Sequence, residues 1–303
     1  MEPLRQWIDH LIIDNDRNLH EKCLEDFFQK TYDHYRLQSQ TPEGAYGLMD
    51  LETTRQELDQ WVETLKPILE KMISGQKDSY HSMCVGETTD HFSILSEKLN
   101  VLRFSQLQIS VSTFDTFNNP VCRDVEIHGR LPWLWKDDTG VWHSLILTGS
   151  GKKPAAKPDR YLLEPVLTYF VAFCMESGKD LFNKSPITFH VVYQNGIQSW
   201  TCQVTAGEAL DYIKKLVAQY LNPHMRQWLP YDAVVDAAGD LGKICMSDDL
   251  EVCKEDFMLK LSAALSETED SLVLLSDPEI GSHALQESCS RFGIFFKNLQ
   301  VKL

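Results

Sequence analysis

The sequence predicts a mixed α/β chain of the α+β kind, with a helical head, a strand-rich centre and a helical tail. Three patterns predict it. Apolar residues recur at helical spacing through the first 72 positions. From Leu107 the spacing changes to period two. Farther on, a strand pair runs into Thr205 and Glu208, three apart, the spacing of a helix capping box.

The elements follow in order. Leu4, Trp7, Ile8, Leu11 and Ile12 share one helical face, as do Leu19, Cys23, Leu24, Phe27, Phe28, Tyr32 and Tyr35. The stretch QTPEGAYG, Gln40 to Gly47, interrupts them with proline and two glycines. A third helix carries Leu58, Trp61, Val62, Leu65, Leu69 and Met72, with a kink expected at Pro67. Ser74 to His91 is polar and reads as a loop. Leu107 to Phe114 alternates as a strand, and VEIHGRLPWLW, Val125 to Trp135, reads as the next one. A turn at Lys136-Asp137-Asp138-Thr139-Gly140 leads to a strand through Trp142, Ser144, Ile146 and Thr148. Tyr161 to Met175 is too long and apolar for a strand and reads as a buried helix. Ile187 to Tyr193 and Ile197 to Val204 are strands, with Asn195-Gly196 expected at the turn. A helix follows through Leu210, Ile213, Leu216, Val217 and Tyr220, and two more are expected near Asp249 to Leu265 and His283 to Lys297. The implied division is a helical part over 1–75, a polar connector over 76–100, an α/β core over 101–221 and a C-terminal helical part over 222–303.

Charge narrows the function. The 303 residues carry a net charge of −15. A free-standing duplex binder gains affinity by neutralising phosphates and is usually basic. The acidic balance therefore points either to plain solubility or to a basic partner. Eight cysteines occur without a CxxC, which reads as reduced core thiols rather than a zinc ribbon or redox pair. The ten histidines form no HxxxH or HExxH, and no GxxxxGK[ST] is present, so neither zinc nor ATP is expected and no cofactor is implied. MEPLRQW lacks a basic start followed by an apolar run, and Val166 to Met175 is too short to span a bilayer. A cytoplasmic protein away from membranes is the expectation.

The helix–strand–strand–strand–helix–strand order resembles the PD-(D/E)XK, restriction-endonuclease-like fold, a mixed sheet flanked by helices. Active members of that fold hold Mg²⁺ with an Asp on the second strand, a few residues after a Gly. An acidic-x-Lys triplet on the third strand completes the site. With Gly129 as anchor, the Asp position falls on Pro132, the acidic position on Ile146 and the Lys position on Thr148. None supplies a carboxylate, so no catalytic or metal-binding residue is expected. Asp124 and Glu126 share the period-two face of Pro132. Asp124 lies eight residues away, about 26 Å along an extended strand.

Several weaker motifs occur in a telling order. They are TPEGAYG (Thr41 to Gly47), VEIHGRLPWLW (Val125 to Trp135), QSWTCQVTAGEALDYIKKLVAQYLNPH (Gln198 to His224), DDLEVCKEDFMLKL (Asp248 to Leu261) and CSRFGIFFKNLQ (Cys289 to Gln300). Together, over roughly residues 20 to 300, the chain resembles the C-terminal region of the RecC family, the gamma subunit of exodeoxyribonuclease V. The resemblance implies a degenerate nuclease-like domain without nuclease or ATPase activity of its own. It implies RecB-like and RecD-like partner subunits, and DNA in the context of the RecBCD-type complex. Family members are longer and begin with two helicase-like domains, so the resemblance implies a C-terminal piece of a longer protein.

Other residues leave alternatives open. Lys152, Lys153, Lys157 and Arg160 form the local basic patch beside the hairpin. They read as a DNA-phosphate contact or as a solvated loop. Trp133, Trp135 and Trp142 read as base-stacking surfaces or as core and interface packing. Two other functions stay open beside the scaffold: an active Mg²⁺-dependent nuclease with relocated ligands, and a protein-interaction domain unrelated to DNA.

Overall fold

Strands covered on both faces decide the architecture of this chain. A computed structural model describes residues 4, 5, 7–9, 11, 20–38, 44–74, 80–86, 100–148, 160–182, 186–223, 234, 288, 290–294 and 298–302. Two helices, α1 (His20–Leu37) and α2 (Gly44–Ser74), precede the strands. Strands β1 (Tyr80–Val85), β2 (Asn100–Phe104), β3 (Leu107–Phe114), β4 (Pro120–Ile127), β5 (Gly129–Lys136) and β6 (Trp142–Leu147) follow. A 3-10 turn, Arg160–Leu162, opens into α3 (Leu163–Phe173) and α4 (Glu176–Phe182). Then come β7 (Ile187–Tyr193), β8 (Gly196–Cys202), α5 (Ala206–Tyr220) and β9 (Leu299–Lys302).

Seven strands form one mixed sheet in the order β2-β1-β5-β6-β7-β8-β9, and β3 and β4 form a separate two-stranded ribbon. Nearly every residue of β6 and β7 is buried, so both faces of these strands are covered. They pair in parallel from Trp142↔Ile187 to Leu147↔Val192. Parallel neighbours need a crossover, and α3 and α4 lie within that connection. Of the other pairs, β1 with β5, β5 with β6, β7 with β8 and β8 with β9 are antiparallel, and the edge strand β2 is parallel to β1.

Each face has its own apolar cluster. On one, α3 and α5 pack against Leu131, Leu134, Trp142, Phe189, Val191 and Trp200. Tyr169 stacks on Phe173 at 5.6 Å and meets Phe182 edge-on at 5.2 Å, the geometry aromatic quadrupoles favour. Burial here pushes the Cys202 thiol up to about 12, so it stays protonated and inert. On the opposite face, Leu4, Trp7, Ile8 and Leu11, and the second half of α2, cover Trp133, Trp135, Leu145, Leu147 and Val192. The result is three layers, helices over sheet over helices.

Several expectations hold and several are corrected. Helix α5 opens on the expected capping box: Thr205 Oγ1 accepts from the Glu208 N–H, and a Glu208 carboxylate oxygen accepts from the Thr205 N–H. Pro67 lies inside α2 without ending it. The stretch read as a loop over Ser74 to His91, and as a connector over 76–100, contains β1, an interior strand of the sheet. Ser82, Met83, Cys84 and Val85 are all buried, so no alternation marks the strand, and the Ser82 hydroxyl is satisfied by the Leu131 carbonyl at 3.3 Å. The strand read as continuous from Val125 to Trp135 breaks at His128, with β4 in the ribbon and β5 in the sheet. The β7–β8 turn uses Gln194 and Asn195 rather than Asn195-Gly196, because Tyr193 pairs with Gly196. The tail read as helical ends in β9, which pairs with β8. The helix expected near Asp249 to Leu265 lies outside the described residues. Of the one expected over His283 to Lys297, residues 288 and 290–294 are described and are helical.

Gly129 fixes how closely α3 approaches the sheet. A Cβ there would lie 2.9 Å from both Cγ2 and Oγ1 of buried Thr168. Gly129→Ala is expected to lower unfolding free energy by about 1–3 kcal/mol in urea titration. That loss should fall by more than half when measured in a Thr168→Ala background.

Candidate functional site

The three positions that the sequence aligned with a nuclease's metal ligands, Pro132, Ile146 and Thr148, lie within or at the end of strands of the large sheet. On β5, His81 pairs with Leu134 and Met83 with Leu131, so three steps on β5 face two on β1. Pro132 lies in that bulge. Proline has no N–H to give a ladder, and a bulge is where a sheet tolerates it. The β5–β6 pairs run from Lys136↔Trp142 only as far as Leu134↔Ser144, two residues short of Pro132. On β6, Ile146 pairs with Val191 and packs against the α3-side cluster. Thr148 is fully buried; its hydroxyl donates to the Val192 carbonyl at 2.9 Å, and its N–H donates to the same oxygen at 3.1 Å. Pro132 and Ile146 thus lie on neighbouring strands, and the Thr148 hydroxyl ties the end of β6 to β7.

The acids considered as replacements lie elsewhere. Asp124 and Glu126 are exposed on β4, in the ribbon rather than in the sheet that carries Pro132. Ser110 Oγ donates to Asp124. Gln106 and Gln108 both donate to Glu126 Oε1, at 3.0 and 3.3 Å. Among the described residues, no three His, Cys, Asp or Glu side chains are grouped to hold a metal ion.

Of the basic patch, Lys152, Lys153 and Lys157 lie outside the described residues. Arg160 is exposed, with its guanidinium 5.3 Å from the Tyr161 ring centroid. The three tryptophans are all buried and divide between the two faces, which fits packing and leaves no open ring for a base. Trp133 Nε1 donates to Asp9 at 2.8 Å, joining the N-terminal helical residues to β5.

The sequence reading missed a polar chain across β6, β7 and β8. Asp137 closes the β5–β6 turn, where Gly140 adopts φ +85° and donates its N–H to the Asp137 carbonyl. Asp137 Oδ1 accepts from the Thr139 and Val141 N–H groups, and Oδ2 lies 3.0 Å from His143 Nε2. His143 Nδ1 is 2.9 Å from His190 Nε2, and His190 Nδ1 is 2.8 Å from Ser199 Oγ. Trp135 stacks on both imidazoles. Burial raises the Asp137 carboxyl, but the bonds from Thr139, His143 and Val141 and the charge of His143 outweigh it and hold the group at about 2. The anion sets the direction of the chain. His143 Nε2 must donate to it, which leaves Nδ1 of a neutral ring as acceptor from His190 Nε2–H. His190 Nδ1 then accepts from Ser199. The signal in the sequence was strand parity: His190 pairs with Ser199, and His143 is offset by two residues on the adjacent strand.

Comparison of the chain with protein-family models, with curated proteins and with solved structures finds no match.

Two outcomes are expected. Nitrogen-15 NMR at neutral pH should find the neutral His143 ring protonated at Nε2; a dominant Nδ1–H form would contradict the chain. Asp137 is also depressed from 3.8 to about 2, so its contribution is complete above pH 4 and lost as pH falls toward 2. Asp137→Asn should cost about 1 kcal/mol at pH 6, after discounting for water at a partly exposed carboxylate. The gap from wild type should close between pH 4 and pH 2.

Proposed function

We propose that this chain is a non-catalytic scaffold domain with a degenerate restriction-endonuclease-like fold. In this reading it is the C-terminal part of a RecC-type subunit in an exodeoxyribonuclease V complex. It supports DNA unwinding, strand routing and recombinational double-strand-break repair by contacts to RecB-like and RecD-like subunits and to DNA held in the complex. It works in the cytoplasm.

The observation that carries the reading is the occupancy of the ligand positions. Pro132 accommodates a bulge, Ile146 packs into the core, and Thr148 uses its hydroxyl on the Val192 carbonyl. Thr148 is fully buried, and a charged side chain there would lie without a partner at a cost of several kcal/mol. The strand arrangement supports the same reading. With β2, the β3–β4 ribbon and α4 as intervening elements, helix α2, strands β1, β5 and β6, helix α3 and strand β7 give a helix–strand–strand–strand–helix–strand order with β6 and β7 parallel; its first strand is β1 and not Leu107–Phe114, as the sequence suggested. The described helices include none long and apolar enough to cross a membrane.

The purified chain should cleave neither linear duplex nor single-stranded DNA with Mg²⁺ or Mn²⁺. Cleavage abolished by Asp124→Ala/Glu126→Ala would overturn the scaffold and place a rebuilt site on the ribbon. In the absence of cleavage, co-purification with RecB-like and RecD-like subunits is expected. Failure to bind either one favours an interaction domain unrelated to DNA.

A further inference from the structure

Strand register sets four hydrogen-bonding side chains in one row on the face of the sheet that carries Trp135, Leu145 and Val192. Asp137, His143, His190 and Ser199 stand on the β5–β6 turn, β6, β7 and β8 in that order. Both nitrogens of each imidazole are engaged. His143 has Asp137 Oδ2 at 3.0 Å and His190 Nε2 at 2.9 Å, and His190 also has Ser199 Oγ at 2.8 Å. His143 is 8% exposed, and Trp135 stacks over both rings with centroids at 5.2 and 5.5 Å. Asp137 and Ser199, the two ends of the row, are partly exposed.

The charges near the row can be placed element by element. Asp137 is bonded to it, and its neighbour Asp138 is exposed. Lys136 turns to the other face, with its ammonium 5.7 Å from the Trp142 ring centroid. Asp9, from the N-terminal helical residues, takes the indole N–H of Trp133. Lys302 of β9 is the register partner of Ser199. Helix α2 gives Trp61, Leu65 and Leu69 to the cluster on this face, and its Glu63, Lys66, Glu70 and Lys71 are exposed. Among the described residues, Asp137 is therefore the charge in direct contact with the imidazoles.

Counting hydrogens shows how many protons the row can hold. Each of its three contacts needs one hydrogen. With both rings neutral, Ser199 donates to His190 Nδ1, His190 Nε2 donates to His143 Nδ1, and His143 Nε2 donates to Asp137. One added proton fits at His190 Nδ1, provided the Ser199 hydroxyl turns and accepts from it. The hydrogen between the rings can then rest on either nitrogen with no bond lost, and the Asp137 anion draws the positive charge to His143. A second added proton sets two N–H groups face to face across 2.9 Å, which breaks the side-chain link between β6 and β7.

We infer that Asp137, His143, His190 and Ser199 form a one-proton switch. A single proton taken up at His190 turns the Ser199 hydroxyl from donor to acceptor, frees its hydrogen for a group outside the row, and brings the positive charge to His143. The two rings titrate as one unit, and the link across β6, β7 and β8 survives the first proton but not the second. Asp137 stays an anion through this range, because its own carboxyl is held at about 2. The inference stands apart from the scaffold assignment and from any partner.

The test uses the full chain with nitrogen-15 in its histidines. Long-range proton–nitrogen NMR follows both rings from about pH 8 to about pH 4, a span that brackets ordinary imidazole titration. His143→Gln and His190→Gln assign the resonances. The two rings should change together, in one step that adds one proton to the pair. At the end of that step His190 Nδ1 should carry hydrogen and His143 should show imidazolium character. Asp137→Asn should lower the midpoint by about one pH unit or more, roughly tenfold in proton affinity. Ser199→Ala should lower it as well, since a bond accepted from a charged ring is stronger than one donated to a neutral ring. A merely structural row would leave both midpoints in place. Rings that gain a full proton each in separate steps overturn the switch, as do rings that stay neutral to the end of the titration. A first proton that leaves no charge on His143, or an unmoved midpoint in Asp137→Asn, overturns it too. An unmoved or raised midpoint in Ser199→Ala overturns the reversal at the hydroxyl. Circular dichroism checks that each variant folds, and where one does not, the wild-type titration decides by itself.

Discussion

Strands β6 and β7 lie side by side in parallel, and water is excluded from both of their faces. The backbone groups are satisfied within the sheet, but the side chains above and below need cover from other elements. The chain supplies α3 and α5 on one side, and the N-terminal helical residues with the second half of α2 on the other. Parallel pairing also requires a crossover, and α3 lies in it. Its buried residues, Val166 and Thr168 to Phe173, are apolar apart from Thr168 because the helix sits between the sheet and α5. The close approach at Gly129 and the aromatic packing of Tyr169, Phe173 and Phe182 follow from that placement.

The same constraint bears on chemistry. The positions that the sequence aligned with metal ligands do other work: Pro132 lies in a bulge, Ile146 packs against the core and the Thr148 hydroxyl bonds a backbone carbonyl. Four polar side chains of the β5–β6 turn and of β6 to β8 bond one another. Asp137, His143, His190 and Ser199 make one directed chain whose charge rests at the β5–β6 turn, where the carboxylate is partly exposed. Its bonds cross three adjacent strands, so the chain fixes their register with polar contacts where Thr188 and Thr201 also meet at 3.3 Å.

Legibility varied with how much water each element touches. Strand β3 was readable because Ile109, Val111 and Thr113 are buried and their neighbours are not. Helix α5 was readable from its capping box and its apolar stripe. Strand β1 was not, because it is covered on both sides and its short YHSMCV run has neither alternation nor strong apolar character. The break at His128 was hidden for a related reason: period-two spacing continues across it, while β4 and β5 belong to different sheets. That Pro132, Ile146 and Thr148 carry no carboxylate was legible from residue type, since no conformation turns proline, isoleucine or threonine into one. The tasks those residues perform were not.

The sequence by itself determined the classes of element, the helical start before a strand-rich centre, and the residue types at positions 132, 146 and 148, because these depend on local spacing and side-chain chemistry. Only the tertiary structure decided that Tyr80–Val85 joins the sheet, that β3 and β4 leave it, and that Asp137, His143, His190 and Ser199 meet. Those outcomes depend on strand order and register, which bring residues as far apart as Asp137 and Ser199 into one hydrogen-bonded chain that no local pattern encodes.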